Sequence, residues 1–290
     1  MQQQSTSQAI HPDTRIGSVT LHVSQLDRSL RFYEEKLGFR CLERTPGKAV
    51  LGTPDAVPLL FLSELPGAIT PQPQWSTGLY HTAILLPSRV DLGRTFLHLD
   101  QVGINAVLED HQVSEALYFS DPDGNGLEMY RDRPRSTWRW SNGEIEMSGD
   151  PLDKVDLRTE GATDSRPWDG LPSGTCIGHM HLKVGDIAQA EHFYHTILGF
   201  DITRGYPNAL FMSAGGYHHH LATNTWRSLG AGPAPENTVG LQTFEVRLPN
   251  REALAEVQAR LIEAHIPIQE NANSLVVADP WGTRITLHVA

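Results

Sequence analysis

Hydrophobic positions along this chain first alternate and then recur at helical spacing, and the two patterns follow one another in a fixed order. In "VTLHV", Val19, Leu21 and Val23 fall on one side of a strand. Leu26, Leu30, Tyr33 and Leu37 then step four, three and four residues along one helical face. "LGF" stops that helix with a glycine at its C-terminal end, and two or three further strands complete the unit. The pattern then returns. "IGSVTLHVSQLDRSLRFYEEKLGF" (16–39) aligns without a gap on "IGHMHLKVGDIAQAEHFYHTILGF" (177–200), with 9 of 24 positions identical. "GLYHTAILLPSRVDL" (78–92) matches "GLQTFEVRLPNREAL" (240–254), and the turn-and-strand "DPDGNGLEMY" (121–130) matches "DPWGTRITLH" (279–288).

The periodicity predicts four βαβββ modules in two tandem halves, an internal repeat that organises the chain. Modules 1 and 2 (about 15–63 and 78–131) make a first domain over 15–131. Modules 3 and 4 (176–224 and 239–290) make a second over 175–290. Residues 1–14 read as a disordered polar tail, with neither the basic start nor the apolar core of a signal peptide. The 132–174 linker lacks periodicity but is rich in Trp, Pro, Gly and acidic residues, and Trp138, Trp140 and Trp168 are expected to pack on the domains.

Composition narrows the function classes. The chain has 290 residues and a net charge of -11 without a basic stripe, which argues against nucleic acid as a partner. No apolar run approaches the roughly 20 residues that cross a bilayer, so no membrane role is expected. Two cysteines give no disulfide framework, and a cytoplasmic location is the default.

The four modules, with "FY" and "LGF" in their odd-numbered helices, resemble the vicinal oxygen chelate superfamily of glyoxalases, extradiol dioxygenases and antibiotic-binding proteins. The resemblance implies an α+β fold in which paired modules build two cup-shaped, eight-stranded mixed sheets. It also implies a divalent metal held by the first and last strands of a module. At the first-strand positions the four modules offer Ser18, His81, His179 and Thr243; at the last-strand positions of modules 2 and 4 stand Glu128 and Thr286. A lone histidine on a strand is most often inert, and neither half supplies a full ligand set. Modules 2 and 3 together do: His81, Glu128 and His179 are the two imidazoles and one carboxylate that hold non-haem Fe(II), or Mn(II), with open positions. Module 2 is therefore expected to pair with module 3, and module 1 with module 4. That pairing can form within one chain or between the chains of a homo-oligomer.

Residues around the ligands resemble extradiol dioxygenases of the catechol 2,3-dioxygenase type. Tyr118 stands ten residues before Glu128, and His111 lies in "HQVSEA". Both match family positions that act on substrate and oxygen, although this chain has two fewer residues between them. In "GGYHHHLA" (215–222) the family register selects His219 as acid/base catalyst, with His218 and His220 flanking the substrate. A glyoxalase-type register would instead make His220 a fourth metal ligand. At the positions matching His219, Tyr118 and Glu128, modules 1 and 4 carry Leu59, Val276 and Thr286, unsuited to those roles. The resemblance thus implies an enzyme of aromatic catabolism that takes a small aromatic diol and O2. A glyoxalase-type isomerase or lyase and a non-catalytic small-molecule binder are the alternatives.

Overall fold

The computed structural model describes residues 9–70 and 75–289. Strand, helix and strands follow in the expected order in all four modules, and the strands collect into two large mixed sheets. The modules pair crosswise. In hydrogen-bonding order, the nine-stranded sheet runs Asp150–Pro151, Val107–Asp110, Ser114–Ser120, Gly126–Asp132, Gly78–Leu85, Cys176–Lys183, Leu221–Asn224, Ala209–Ser213 and Asp201–Tyr206. It unites module 2 with module 3 through the antiparallel pair Gly78–Leu85 and Cys176–Lys183, and the linker adds the ninth strand. The eight-stranded sheet unites module 1 with module 4 through Arg15–Val23 and Gly240–Leu248. The boundaries 15–131 and 175–290 therefore mark the repeat and not the sheets, and the pairing occurs within one chain.

Recurrent motif residues tie the two sheets together. Leu26, Leu30, Tyr33 and Leu37 are all buried, and the aliphatic ones each contribute about 1.5–3 kcal/mol by leaving water. Their helix widens in its second half, where the Leu37 amide donates to the Phe32 carbonyl five residues back; Leu198 and Phe193 repeat this in module 3. The tyrosine of each "FY" then crosses to the other sheet. Tyr33 Oη donates to Asp121 Oδ2 at 3.0 Å, and Tyr194 Oη to Asp279 Oδ2 at 2.9 Å. These aspartates begin the "DP" turns and also accept backbone amides of Asp123, Asn125, Trp281 and Thr283. The identity of "FY" and "DP" in both halves thus has one cause, a buried phenol–carboxylate bond that locks helix to turn.

Two expectations need correction. Residues 1–8 of the tail lie outside the described residues, but 9–14 dock on the body: Ile10 is buried and its amide donates to the Gly199 carbonyl. In the linker, Trp138 is buried against Tyr217 and Trp168 stacks on His98 at 4.3 Å, whereas Trp140 is exposed on a two-stranded hairpin. The histidine triplet precedes its strand. Gly215 and Gly216 adopt positive φ angles of 59° and 66°, the chain turns there, and the strand begins only at Leu221.

Candidate metal centre

The concave face of the nine-stranded sheet brings His81, Glu128 and His179 together, each buried, with one donor atom from each inside a 4.8 Å circle. Register explains the convergence. Glu128 lies beside Ala83 on the neighbouring parallel strand, two residues along from His81, and Ala83 pairs in turn with His179. Tyr118 sits directly opposite Glu128 across a hairpin, so the ten-residue spacing is the spacing of two facing residues joined by the Asp121 turn. Gly178 forms a bulge beside His179, where the ladder slips between Ile177 and His179. A Cβ there would lie 1.8 Å from Tyr130 Oη, so only glycine lets the strand pass.

Glu128 Oε2 stands 3.0 Å from His81 Nε2 and 3.0 Å from His179 Nε2. Two ligands at right angles on a metal, each at about 2.1 Å, are about 3.0 Å apart. His81 Nε2 is buried and poorly aligned for a hydrogen bond to that oxygen, and so lacks a partner among the described residues. An orphaned imidazole nitrogen aimed at a shared carboxylate fits a cation at the convergence point better than it fits a packed core. Burial works against charge on Glu128, but the flanking imidazoles outweigh it and hold the carboxyl well below its usual range. Burial lowers His179 to about 4, which leaves it a neutral donor at neutral pH. Two imidazoles and a carboxylate on one side of a cavity can hold a divalent metal ion.

His219 and Tyr118 line the same cavity, as does His111. The His219 ring centroid is 4.1 Å from that of His179. His218 and His220 are not among the lining residues; they stand behind His219. His218 Nε2 is 2.9 Å from Asp132 Oδ1, and its Nδ1 is 2.8 Å from His219 Nδ1. A carboxylate accepts only, so His218 Nε2 carries the proton and its Nδ1 accepts from His219 Nδ1–H. That chain leaves a lone pair on His219 Nε2. Burial, reinforced by His179 and His218, keeps the His219 ring neutral well below the usual histidine range. The His220 ring accepts from the Ala214 amide through Nδ1 at 3.1 Å and lies over Tyr217. It joins no group of metal-binding geometry among the described residues, so the fourth-ligand register finds no geometric counterpart.

Across the cavity, Tyr118 Oη and His111 Nε2 are 2.8 Å apart, and His111 Nδ1 is 2.6 Å from the Ser148 carbonyl. The carbonyl fixes the proton on Nδ1, so the neutral ring accepts the Tyr118 hydroxyl proton at Nε2. Burial and the Glu128 charge raise the Tyr118 pKa well above 10, and it stays a phenol able to donate.

Several site residues escaped the sequence reading. His181 pairs across strands with His81, lines the cavity, and accepts from the Asn224 amide at Nε2. The spacing of "HMH" could have revealed it, since residues two apart share a strand face. Tyr80, Phe211 and Trp226 form aromatic wall, and the linker supplies Met147, Ser148 and Gly149. Among the described residues no helix is long and apolar enough to cross a membrane.

Comparison with known proteins agrees with this architecture. A catechol-2,3-dioxygenase of Bacillus subtilis (strain 168) is 46% identical over 275 residues, covering 94% of this chain and 96% of that one. A biphenyl-2,3-diol 1,2-dioxygenase of Rhodococcus globerulus is 31% identical over 169 residues, covering 53% and 89%. Glyoxalase I from Zea mays superposes with a TM-score of 0.56 at 16% identity over 96% and 92% of the two chains, a likeness of fold. The family model for the "Glyoxalase/Bleomycin resistance protein/Dioxygenase superfamily" matches residues 15–129 and 176–287, the two halves of the repeat. By repeat, crosswise fold and these matches, the chain belongs to the glyoxalase/bleomycin resistance protein/dioxygenase superfamily, whose fold is the vicinal oxygen chelate.

Proposed function

We propose that this protein is an Fe(II)-dependent extradiol dioxygenase of the catechol 2,3-dioxygenase type, opening a catechol beside its two hydroxyls to a semialdehyde with both atoms of O2. The observation that carries the reading is the gathering of a two-histidine, one-carboxylate set with His219, His111 and Tyr118 around one cavity. The relationship to the Bacillus catechol-2,3-dioxygenase over nearly the full chain supports it.

His81, Glu128 and His179 would hold the metal. Fe(II) held there would supply a Lewis-acidic, redox-active centre with open positions for the diol and for dioxygen; Mn(II) suits the same donors. His219 Nε2 accepts the proton that a catechol hydroxyl sheds on binding, and returns one as the ring opens. Asp132 and His218 hold it in the tautomer that can do so. Tyr118, kept as a phenol with its proton held by His111 Nε2, turns an oxygen lone pair toward a substrate hydroxyl.

Anaerobic loading with Fe(II), followed by catechol and then air, tests the reading. A yellow ring-fission product carrying both atoms of labelled O2 is expected. Ring opening between the hydroxyls, or no oxygen uptake by iron-loaded protein, would overturn it.

A further inference from the structure

The proposed activity does not by itself say which catechol is opened, and the cavity wall speaks to that. The cavity encloses about 690 Å³, within the range of about 300–1,000 Å³ that houses drug-sized ligands and more than one ring requires. Four large hydrophobic side chains that line it, Tyr80, Val107, Tyr206 and Trp226, are also among the exposed large hydrophobics of the surface. Tyr80 meets Trp226 edge-on at 5.1 Å and His181 at 4.7 Å, and Phe211 continues the wall to Tyr206. Apolar surface concentrated around one opening is what a partly buried apolar ligand covers.

Charge points the same way. Among the described residues no lysine or arginine lines the cavity, and apart from Glu128 the only carboxylate that does is Glu109, with Oε2 3.6 Å from His111 Nε2. Arg204 lies over Tyr206 at 4.9 Å but is tied to Glu144 at 3.0 Å, and Arg227, near enough for its charge to act on Tyr80, is exposed and not among the lining residues. The two charges of a bound divalent ion are matched by Glu128 and by the hydroxylate of the catechol itself. A second anionic group on the substrate would face Glu109 and an aromatic rim, with no lysine or arginine among the lining side chains to pair with it.

We infer that the site takes an uncharged catechol bearing an apolar substituent up to the size of a second ring, and selects against catechols bearing a carboxylate or sulfonate. The inference rests on the ring-cleaving reading above, and its test separates the two. Iron-loaded protein is assayed for kcat/KM with catechol, 3-phenylcatechol, 3,4-dihydroxybenzoate and the methyl ester of that acid. Binding of the same four is measured anaerobically by calorimetry. The ester should exceed the acid by roughly tenfold or more in both, the effect of a like charge several ångströms away in a partly buried site. The phenyl compound should exceed catechol by a similar factor. Glu109→Gln should narrow the acid–ester gap, and Val107→Arg should narrow it further or reverse it. Catechol opened while acid and ester are used equally would overturn the selection and leave the activity standing. Selective binding with no ring opening would overturn the activity and leave the selection standing. Binding of none of the four would overturn both.

Discussion

The buried histidines in and behind the cavity should make the metal-free protein labile to mild acid, and the size of the effect follows from their burial. Burial lowers His220 to about 3 and His179 to about 4, against about 6.5 in an unfolded chain. Each therefore binds fewer protons folded than unfolded once the pH drops below about 6.5. The stability this represents is intact above 6.5 and is lost as pH falls toward the folded pKa. Integrated from pH 7 to pH 5, the loss is about 2 kcal/mol for each ring. His219 and His181, also buried and lowered, act in the same direction. The buried Asp121 and Asp279 are raised by burial and act in the opposite one. A single substitution isolates one ring from this background. His220→Asn removes the titration and keeps an acceptor for the Ala214 amide, which His220 Nδ1 now receives. Thermal melts in chelator at pH 7 and pH 5, at fixed ionic strength, provide the assay. The native chain should lose roughly 10 °C between the two, at about 2–4 °C per kcal/mol for a protein of this size. The variant should recover about 2 kcal/mol of that loss. If the variant's melting point falls as far as that of the native chain, His220 is not held neutral by burial and the reasoning fails.

Other consequences are sharper in function than in stability. Glu128→Ala and His179→Ala should each abolish tight Fe(II) binding while far-UV circular dichroism stays native; stoichiometric iron in both purified variants would remove the metal assignment. His219→Asn should keep iron but slow turnover about 10²-fold or more, the usual loss of acid/base assistance, whereas His220→Asn should turn over near the native rate. Metal loss in His220→Asn would instead restore the glyoxalase-type register. Gly178→Ala would place a methyl 1.8 Å from Tyr130 Oη. It should cost about 1–3 kcal/mol in stability and weaken iron binding by moving His179; an unchanged melting point would show that the bulge is not constrained.

Much of this arrangement was legible because the repeat exposes it. Four copies of one pattern give the fold, and comparing equivalent positions shows where titratable side chains survive. His81, Glu128 and His179 could be read that way because each is a side chain at a repeated strand position. What stayed hidden has no such code. The Ser148 carbonyl that fixes the His111 tautomer is a backbone group in an aperiodic linker. The Asp132–His218–His219 chain depends on the turn at Gly215 and Gly216, after which the triplet precedes the strand that begins at Leu221.

The second sheet shows why, among the described residues, one cup alone gathers a group that could hold a metal ion. At its matching positions Ser18 donates from its amide and its hydroxyl to Glu245 Oε2, at 3.1 and 3.2 Å. Glu245 is further engaged by Arg247 and His288. Thr243 and Thr286 bring their hydroxyls within 3.4 Å of each other. The atoms that would face a cation are neutral hydroxyls already near partners, and the nearby carboxylate is neutralised by an arginine. Such a set offers a divalent ion neither the charge nor the lone pairs that would offset its dehydration. Crosswise pairing therefore separates two tasks that the sequence halves mix. Modules 2 and 3 bring His81, Glu128 and His179 to one cavity, and modules 1 and 4 close their own sheet with internal hydrogen bonds. The Tyr33–Asp121 and Tyr194–Asp279 bonds hold the two sheets in register.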